Sequence, residues 1–549
     1  MMSELNDGSK RVRIEIKDWL FNAGILGLYR ILKNAEQDVL IKGNYIECDA
    51  SCFEGFEKSF FDYFSSVYGQ DGLWYRLTTF CKNNFALDDF AETNVEKIKE
   101  FIKVFDKELV SDSYCTAYEI ITGDKDFIKN KLKVVKDKAA ADLQKLEKIK
   151  EIYSFFVENK DIIQAKYTSY SVINNYWEGV SFLNTQQVNL NMFDIFRRDF
   201  VEPVFNYLKA EEKKKTFGSC LICNRVLNKK SDGAEGLSWL KMDLDSARKT
   251  SVYWNHQPDI IVCPVCNLVY SCVPAGFVTY KKNGLFINDN SGMARLIAIN
   301  NVVLERMDGI ERMESLENLT YTYIINMIRQ IREENIKWEI DNIQVVKMVL
   351  KSKNDKRYVF SLLSKQVIAV IKKSKKELDA LVKLYDVFLD RKNRINLYAE
   401  VIERIYRNMD LYPLVGLLLG LAIRKKKKNG FADLVFKINM NFIGGQMSEK
   451  KIQVMKLMGL KLKKGYKNEQ NKIPGIAYRL LNNLKTKNIN AFMDVAINCH
   501  MHIGQEVPTL LVECIDNVER FQAYGYAFLL GFMGEEYNPE AKKENLKED

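Results

Sequence analysis

The sequence predicts an α+β protein that is mainly helical, with a mixed N-terminal region, an inserted module that carries four cysteines, and a C-terminal helical bundle. Three observations support this fold class. Polar and apolar residues alternate in short segments such as 11–17, as they do in strands. Apolar residues recur every three or four positions over most other segments, which is the helical period. Two Cys-X-X-Cys motifs, Cys220 with Cys223 and Cys263 with Cys266, stand in an irregular region between the helical parts.

The N-terminal elements follow from these patterns in chain order. Residues 11–17 predict a strand, and residues 18–32 predict a helix that Asp18 caps. Gly24 and Gly27 fall on or near the apolar face of this helix, so we expect another backbone to pack closely against them. The same patterns then predict a strand over 39–46, an aromatic-rich helix over 53–68, and a long exposed helix or helical hairpin within 95–157.

The two cysteine motifs are the strongest functional signal. Each motif places two sulfurs on one tight turn, and two such turns supply four thiolates to one tetrahedral Zn²⁺. Four protein ligands leave no coordination position open, which is typical of structural rather than catalytic zinc. The 39 residues between the motifs exceed the spacing of roughly 15–20 in common zinc ribbons, so we expect an insertion between them.

Other interpretations of these cysteines stay open at the level of sequence. A single Cys-X-X-Cys pair in a thioredoxin-like context would be redox-active, although the doubling of the motif argues against this. Buried cysteines can also pack as small apolar side chains. Cys272 and His256 lie close enough in sequence to replace one of the four ligands.

The segment after the second motif predicts a β-hairpin, with arms at 278–280 and 285–287 and a tip at 281–284. The tip contains Asn-Gly, a frequent hairpin turn. Lysine can hold a phosphate and asparagine can contact a base edge, so the tip is a candidate for contact with duplex DNA. A plain exposed turn is the alternative. The candidate residues of the tip are Lys281, Lys282 and Asn283.

From about residue 316 onward the pattern predicts helices almost throughout. The longest apolar run, 411–423, is shorter than the roughly 20 residues that span a bilayer, so it predicts a buried helix. We predict four domains: an N-terminal α+β region (1–210), a zinc-binding module with the hairpin (211–300), a helical middle region (301–440) and a C-terminal helical bundle (441–549).

Positive charge is concentrated near the C-terminus. The formal net charge of the chain is +10, and the block 450–487 holds eleven basic residues and one acidic residue. A second basic run, 424–428, precedes this block. Neighbouring basic stretches favour phosphate binding, although they also occur on solvated helix faces. The residues that we predict to bind nucleic acid here are Lys425, Lys426, Lys461, Lys463, Lys464, Lys467 and Arg479, with Tyr466 and Tyr478 interleaved to stack bases.

Composition limits the protein class. The chain is 47% hydrophobic and 28% charged, as globular proteins are. Eleven cysteines and no secretory leader favour a reducing cytoplasm, without a membrane partner. The sequence has no glycine-rich phosphate loop and no histidine-based metal motif. We therefore predict that the protein is not an enzyme; an enzyme with an unrecognised site is the alternative.

Three features together resemble the CRISPR-associated CXXC-CXXC family: the segment 18–32, the motifs CLIC and CPVC, and the basic helical C-terminus. The resemblance spans most of the chain, and members of this family are the large subunit of type I-B Cascade, an RNA-guided complex that finds foreign DNA. It implies that the chain inspects the protospacer-adjacent motif, stabilises the R-loop and licenses recruitment of a helicase–nuclease in antiviral defence. It also implies a C-terminal bundle similar to the small subunit of related complexes, along the displaced strand.

The resemblance implies a set of partners: crRNA, target DNA, the other Cascade subunits (the backbone, crRNA-end-binding and small subunits) and the helicase–nuclease. A zinc-stabilised helical scaffold that binds RNA or a ribosomal partner without inspecting DNA is the alternative function. A shorter second product is a further hypothesis, because glycine codons just before Met447 can form a purine-rich ribosome-binding sequence. Translation from Met447 would give 103 residues, the size of a helical bundle.

Overall fold

The computed structural model describes residues 11–85, 95–210, 217–228, 233–235, 240, 261–280, 283–304, 343–352, 355–362, 365–382, 387–388, 394–425, 430–443 and 448–534. Helices dominate these residues and short sheets accompany them, which confirms the predicted α+β, mainly helical class. The described residues form two compact units, one from residues up to 304 together with 343–360, the other from residues 361–534.

The first unit contains most of the strands. Its helices are α1 (Trp19–Asn34), α2 (Phe56–Tyr68), α3 (Leu73–Asn84), α4 (Val95–Leu109), α5 (Asp112–Thr122), α6 (Phe127–Lys136), α7 (Asp142–Glu158), α8 (Lys160–Ser171), α9 (Met192–Phe196), α10 (Glu202–Lys209), α11 (Pro264–Ser271), α12 (Val273–Gly276) and α13 (Met293–Leu304). Its strands are β1 (Arg11–Glu15), β2 (Val39–Lys42), β3 (Tyr45–Asp49), β4 (Gly218–Ser219), β5 (Val226–Leu227), β6 (Ala234–Glu235), β7 (Ile261–Val262), β8 (Val278–Tyr280), β9 (Asn283–Asp289), β10 (Ile343–Ser352) and β11 (Asp355–Leu362).

Helix α1 lies in the core of the first unit. Asp18 caps it as predicted, accepting hydrogen bonds from the backbone N–H of Leu20 at 2.9 Å and of Phe21 at 3.2 Å. The helix is apolar on nearly all sides, and such helices are buried. Arg30 is buried in α1 as well, and its guanidinium donates to the carbonyl oxygens of Ala275 and Gly276, each at 2.9 Å. These bonds tie α1 to α12.

The predicted strand over 39–46 is two strands. Gly43 has a φ of +49° and lies in the turn between β2 and β3, so the apolar run reverses there. β3 pairs with both β1 and β2 in an antiparallel sheet of order β1-β3-β2. The predicted helical hairpin within 95–157 is confirmed as α6 and α7, which pack in the second hydrophobic cluster of this unit.

The predicted β-hairpin is confirmed by β8 and β9, with Val278 opposite Leu285. The predicted tip is wrong in one respect, because Asn283 and Gly284 lie within β9 and pair with β8. A Cβ at residue 284 would lie 2.2 Å from the hydroxyl oxygen of Tyr176, so the glycine admits this tyrosine rather than forming the turn. Lys281 and Lys282 lie outside the described residues.

The expectation of helices throughout from residue 316 is wrong at β10 and β11. These strands extend the hairpin to a sheet of order β11-β10-β9-β8, in which β10 runs antiparallel to β9. Val345, Val346 and Met348 of β10 are buried. The β-branched residues of this segment favour a strand, and the edge of β9 supplies its hydrogen-bond partner.

The second unit is a helical assembly with one short two-stranded sheet. Its elements are α14 (Lys365–Lys373), α15 (Lys375–Val382), β12 (Val387–Phe388), β13 (Arg394–Ile395), α16 (Leu397–Tyr406), α17 (Tyr412–Lys425), α18 (Gly430–Ile443), α19 (Glu449–Gly465), α20 (Ile473–Lys485), α21 (Ile489–His502), α22 (Thr509–Val512) and α23 (Val518–Met533). The apolar run 411–423 is the largely buried helix α17, as predicted.

Helices on both sides of the predicted boundary at residue 441 pack together. Tyr412 of α17 stacks on Tyr526 of α23, with ring centroids 5.1 Å apart. A Cβ at Gly531 of α23 would lie 1.9 Å from the carbonyl oxygen of Lys456, so α19 and α23 touch backbone to backbone. The four-domain division stays a prediction, and Met447 lies outside the described residues. No helix in the described ranges has the length and apolarity to cross a membrane.

Candidate metal centre

The first cysteine motif forms a tight turn between β4 and β5. The backbone N–H of Cys220 donates to the carbonyl of Arg225 at 2.8 Å, and that of Asn224 donates to the carbonyl of Cys220 at 2.9 Å. Asn224 has a φ of +59°, a left-handed conformation that asparagine tolerates better than most residues. The turn places the Cys220 and Cys223 sulfurs on one side.

The second motif begins a helix. Cys263 follows β7 and is the N-cap of α11, with Pro264 at the first helical position. The sulfur of Cys263 accepts a hydrogen bond from the backbone N–H of Cys266 at 3.5 Å. Both sulfurs therefore lie at the positive end of the helix dipole, which favours thiolates.

The two motifs converge on one point. The four Sγ atoms of Cys220, Cys223, Cys263 and Cys266 all lie within 4.8 Å of one another, and those of Cys223 and Cys263 are 3.6 Å apart. Tetrahedral zinc with Zn–S bonds of about 2.3 Å separates its sulfurs by about 3.8 Å. Three of the cysteines are at most 1% exposed and Cys223 is half-buried. The predicted four-cysteine cluster is confirmed, and its donor set and spacing fit Zn²⁺.

The electrostatics of the cluster favour a cation. Hydrogen bonding with the thiols of Cys223, Cys263 and Cys266 lowers the pKa of Cys220, while the bond to Cys220 raises the pKa of Cys266. Four thiols at this spacing cannot all ionise unless a positive charge compensates them. A divalent ion held by all four would supply that charge and would link β4, β5 and α11.

The sequence did not draw attention to Arg225, which lies two residues after the first motif. Its guanidinium nitrogen Nη1 is 3.9 Å from the sulfur of Cys223. Burial opposes the charge of Arg225, but the cysteine thiolates outweigh burial and raise its pKa. The guanidinium also donates to the carbonyl oxygen of Arg13, so it bridges the motif to β1. Its charge offsets part of the negative charge of a four-thiolate zinc site.

One of the two alternative ligands, Cys272, is not supported. Cys272 points away from the cluster, and its thiol donates to the carbonyl oxygen of Leu268 at 3.3 Å. His256 lies outside the described residues. Four converging sulfurs also differ from a redox site, which requires a single pair.

Comparison with known proteins agrees with this geometry. Residues 213–278 match a family described as CRISPR-associated protein (Cas_CXXC_CXXC). The match spans both motifs of the CXXC-CXXC segment and supports a CRISPR-associated protein. No curated protein and no solved structure matches the chain.

The residues predicted to bind nucleic acid are divided between the two units. Asn283 lies in β9 of the first unit, and the others that the structure describes belong to the second unit. Lys461 and Lys464 are exposed on α19, Lys467 is exposed just beyond it, and Arg479 is exposed on α20. Lys425 is exposed at the end of α17, and Lys426 lies outside the described residues.

Two residues of the basic block differ from the prediction. Lys463 is half-buried, and its ammonium donates to the carbonyl oxygen of Gly534 at 2.6 Å, so it caps the end of α23. Tyr466 is 3% exposed and packs against His502, whereas Tyr478 is 54% exposed. The helical period could have placed Tyr466 inside, because it follows Met455, Gly459 and Leu462 on the buried face.

Proposed function

We propose that this protein is the large subunit of a type I-B Cascade complex. In this role it binds the crRNA-guided complex and target DNA, inspects the protospacer-adjacent motif, stabilises the R-loop and licenses recruitment of the helicase–nuclease. The observation that carries the proposal is the match of the CXXC-CXXC segment to a CRISPR-associated family, together with the sulfur cluster within that segment.

The exposed cations of the second unit suit the nucleic-acid part of this role. Lys461, Lys464 and Lys467 are spaced three residues apart at and just beyond the end of α19, and Arg479 is exposed on the next long helix. Each of these cations that neutralises a phosphate would release counterions condensed on the nucleic acid, so binding should weaken steeply with salt. The exposed ring of Tyr478 offers a face for a base.

The zinc in this proposal is structural. All four ligands come from the protein, so no position is left for water or substrate. The ion would hold the turn between β4 and β5 against the start of α11. We propose no catalytic step for this chain.

Reconstitution tests the proposal. The chain is co-expressed with a crRNA and with the backbone, crRNA-end-binding and small subunits, and the complex is purified through a tag on the backbone subunit. We expect this chain to co-purify and to confer binding of duplex targets that depends on a short flanking motif. The helicase–nuclease should then degrade bound targets only when this chain is present.

Different outcomes separate the alternatives. Retention of RNA without any dependence on the flanking motif would indicate the helical RNA-binding scaffold instead. Failure to assemble with the other subunits, although zinc is bound, would contradict the Cascade assignment. Nuclease activity of the purified chain with Mg²⁺ would contradict the assignment as a non-enzyme.

A further inference from the structure

The second unit contains a cavity of about 450 Å³ between the end of α19, α20 and the end of α21. Its volume falls within the range of roughly 300–1,000 Å³ typical of small-ligand pockets. The residues of its lining that matter here are Tyr466, Asn471, Lys472, Arg479, Asn498 and His502. None of them belongs to the metal centre.

One wall of the cavity is an aromatic stack. The rings of Tyr466 and His502 lie nearly parallel, 24° apart, with centroids separated by 5.4 Å. The Tyr466 hydroxyl donates to the carbonyl oxygen of Cys499 at 3.4 Å, and Nε2 of His502 lies 2.8 Å from a carboxylate oxygen of Glu469. Both rings are thus held in place. The side chain of His502 is 47% exposed, so the stack ends in an accessible imidazole.

Three other side chains that line the cavity present polar atoms to solvent. The side-chain amides of Asn471 and Asn498 are exposed, and so is the guanidinium of Arg479. Lys472 differs, because Glu469 pairs with it at 3.0 Å. Two amides offer donors and acceptors for a base edge, and a guanidinium offers a fork for phosphate.

We propose that this cavity binds one unstacked nucleotide of a single-stranded nucleic acid. The base stacks on His502, Asn471 and Asn498 bond its edge, and Arg479 holds the adjacent phosphate. Histidine serves as a stacking platform for splayed bases in other nucleic-acid complexes. This inference rests on the proposed function and adds a specific base site to it, separate from the phosphate contacts of the exposed lysines.

The experiment compares strands with and without bases. Fluorescence anisotropy measures binding of the purified full chain to a thymine-only DNA strand, to the matching uracil RNA, and to an abasic DNA strand of equal length. We expect the wild type to prefer base-containing strands to the abasic strand by about fivefold or more, since one stacked base contributes ~1–3 kcal/mol.

The variants isolate the stack. His502→Ala should remove the share of the base preference that this stack contributes, about fivefold, while leaving abasic binding unchanged, and His502→Phe should restore it. Asn482→Ala, an exposed amide on α20 outside the cavity, is the matched control and should behave as wild type. A preference for DNA would identify the displaced strand as the ligand, and a preference for RNA would identify a guide or transcript; either outcome supports the site.

Two outcomes would overturn the proposal in distinguishable ways. If His502→Ala keeps the wild-type preference while replacement of Lys461, Lys464 and Lys467 removes strand binding, the base site is refuted and the proposed function stands. If the wild-type chain binds no strand at low salt, both the base site and the nucleic-acid role of this unit are refuted.

Discussion

A Cβ atom at Gly27 would lie 2.0 Å from the carbonyl oxygen of Cys272. The neighbouring Gly24 meets the carbonyl oxygen of Val269 in the same way, at 2.5 Å. Helix α1 therefore crosses α11 and α12 with backbones in contact. The second cysteine motif begins α11, so this crossing joins the N-terminal helix to the metal centre.

The first prediction concerns this crossing. Gly27→Ala should destabilise the protein by ~1–3 kcal/mol, because the backbone of α12 must move to admit a methyl group. Urea unfolding measures the loss. Gly430→Ala is the control, since no heavy atom lies within 4 Å of a Cβ there. Equal midpoints for the two variants would contradict the close contact.

The second prediction concerns the metal. Cys223→Ser should remove bound zinc and lower the yield of folded protein, because binding energy at a closed thiolate site is folding energy. Elemental analysis of reduced protein gives the zinc content. Cys272→Ser should keep its zinc, because that sulfur bonds to Leu268 instead. Zinc-free wild-type protein that folds normally would refute the structural site.

The third prediction concerns Arg225. Arg225→Ala should lower zinc affinity by about tenfold or more, as the loss of outer-shell partners does at other metal sites. Competition with a chromogenic chelator measures the affinity. Arg225→Lys keeps the charge and should lose less. If the alanine variant matches the wild type, the contact with Cys223 is not electrostatically important.

The fourth prediction separates the lysines of the basic block. Replacing Lys461, Lys464 and Lys467 with alanine should weaken strand binding and reduce the slope of log K against log salt by about 2, at ~0.7 per lost phosphate contact. Lys463→Ala is the matched control, since its ammonium is bonded to Gly534. That variant should lose stability and keep the salt slope. An unchanged slope in the triple variant would assign these lysines to a solvated face.

The fifth prediction concerns pH. Burial lowers the pKa of Lys166 to about 8, and its ammonium donates to the carbonyl oxygen of Val188 at 2.8 Å. Between pH 8 and the unfolded pKa of about 10.4 the folded chain binds fewer protons, so the wild type gains stability as pH rises. Lys166→Met should therefore be more stable by ~2–3 kcal/mol at pH 7, and the gain should shrink by pH 10.

Urea unfolding at the two pH values checks this expectation. Lys160→Met is the control, because Lys160 is exposed on the same helix and carries no comparable cost of burial. A gain that persists unchanged at pH 10 would mean that apolar packing rather than charge burial explains it.

Local sequence signals predicted the four cysteines of the metal centre and the close packing of α1 against another backbone. A Cys-X-X-Cys turn fixes two sulfurs with few residues, so spacing alone identified Cys220, Cys223, Cys263 and Cys266. Gly24 and Gly27 also predicted that a second backbone packs closely on α1, since glycine on an apolar helix face leaves room for a backbone. Arg225 escaped notice because its role depends on the folded distance to Cys223 rather than on any motif.

Features that depend on distant partners were harder to predict. β10 becomes a strand because the edge of β9 is available, and nothing within its own sequence excludes a helix. Gly284 suggested a turn, but its small size serves the approach of Tyr176, which lies more than a hundred residues earlier. Lys463 and Lys464 are adjacent in sequence, yet only the bundle determines that Lys463 reaches Gly534.

The bonds from Arg30 to the carbonyls of Ala275 and Gly276 have a consequence for biosynthesis. Some 245 residues separate these partners, so the ribosome must complete more than half of the first unit before α1 can be enclosed. Until then α1 lacks the carbonyl partners of Arg30, and the part of its apolar surface that packs on α11 and α12 is uncovered. The packing of α1 is therefore completed only after the downstream half of the sulfur cluster has been synthesised.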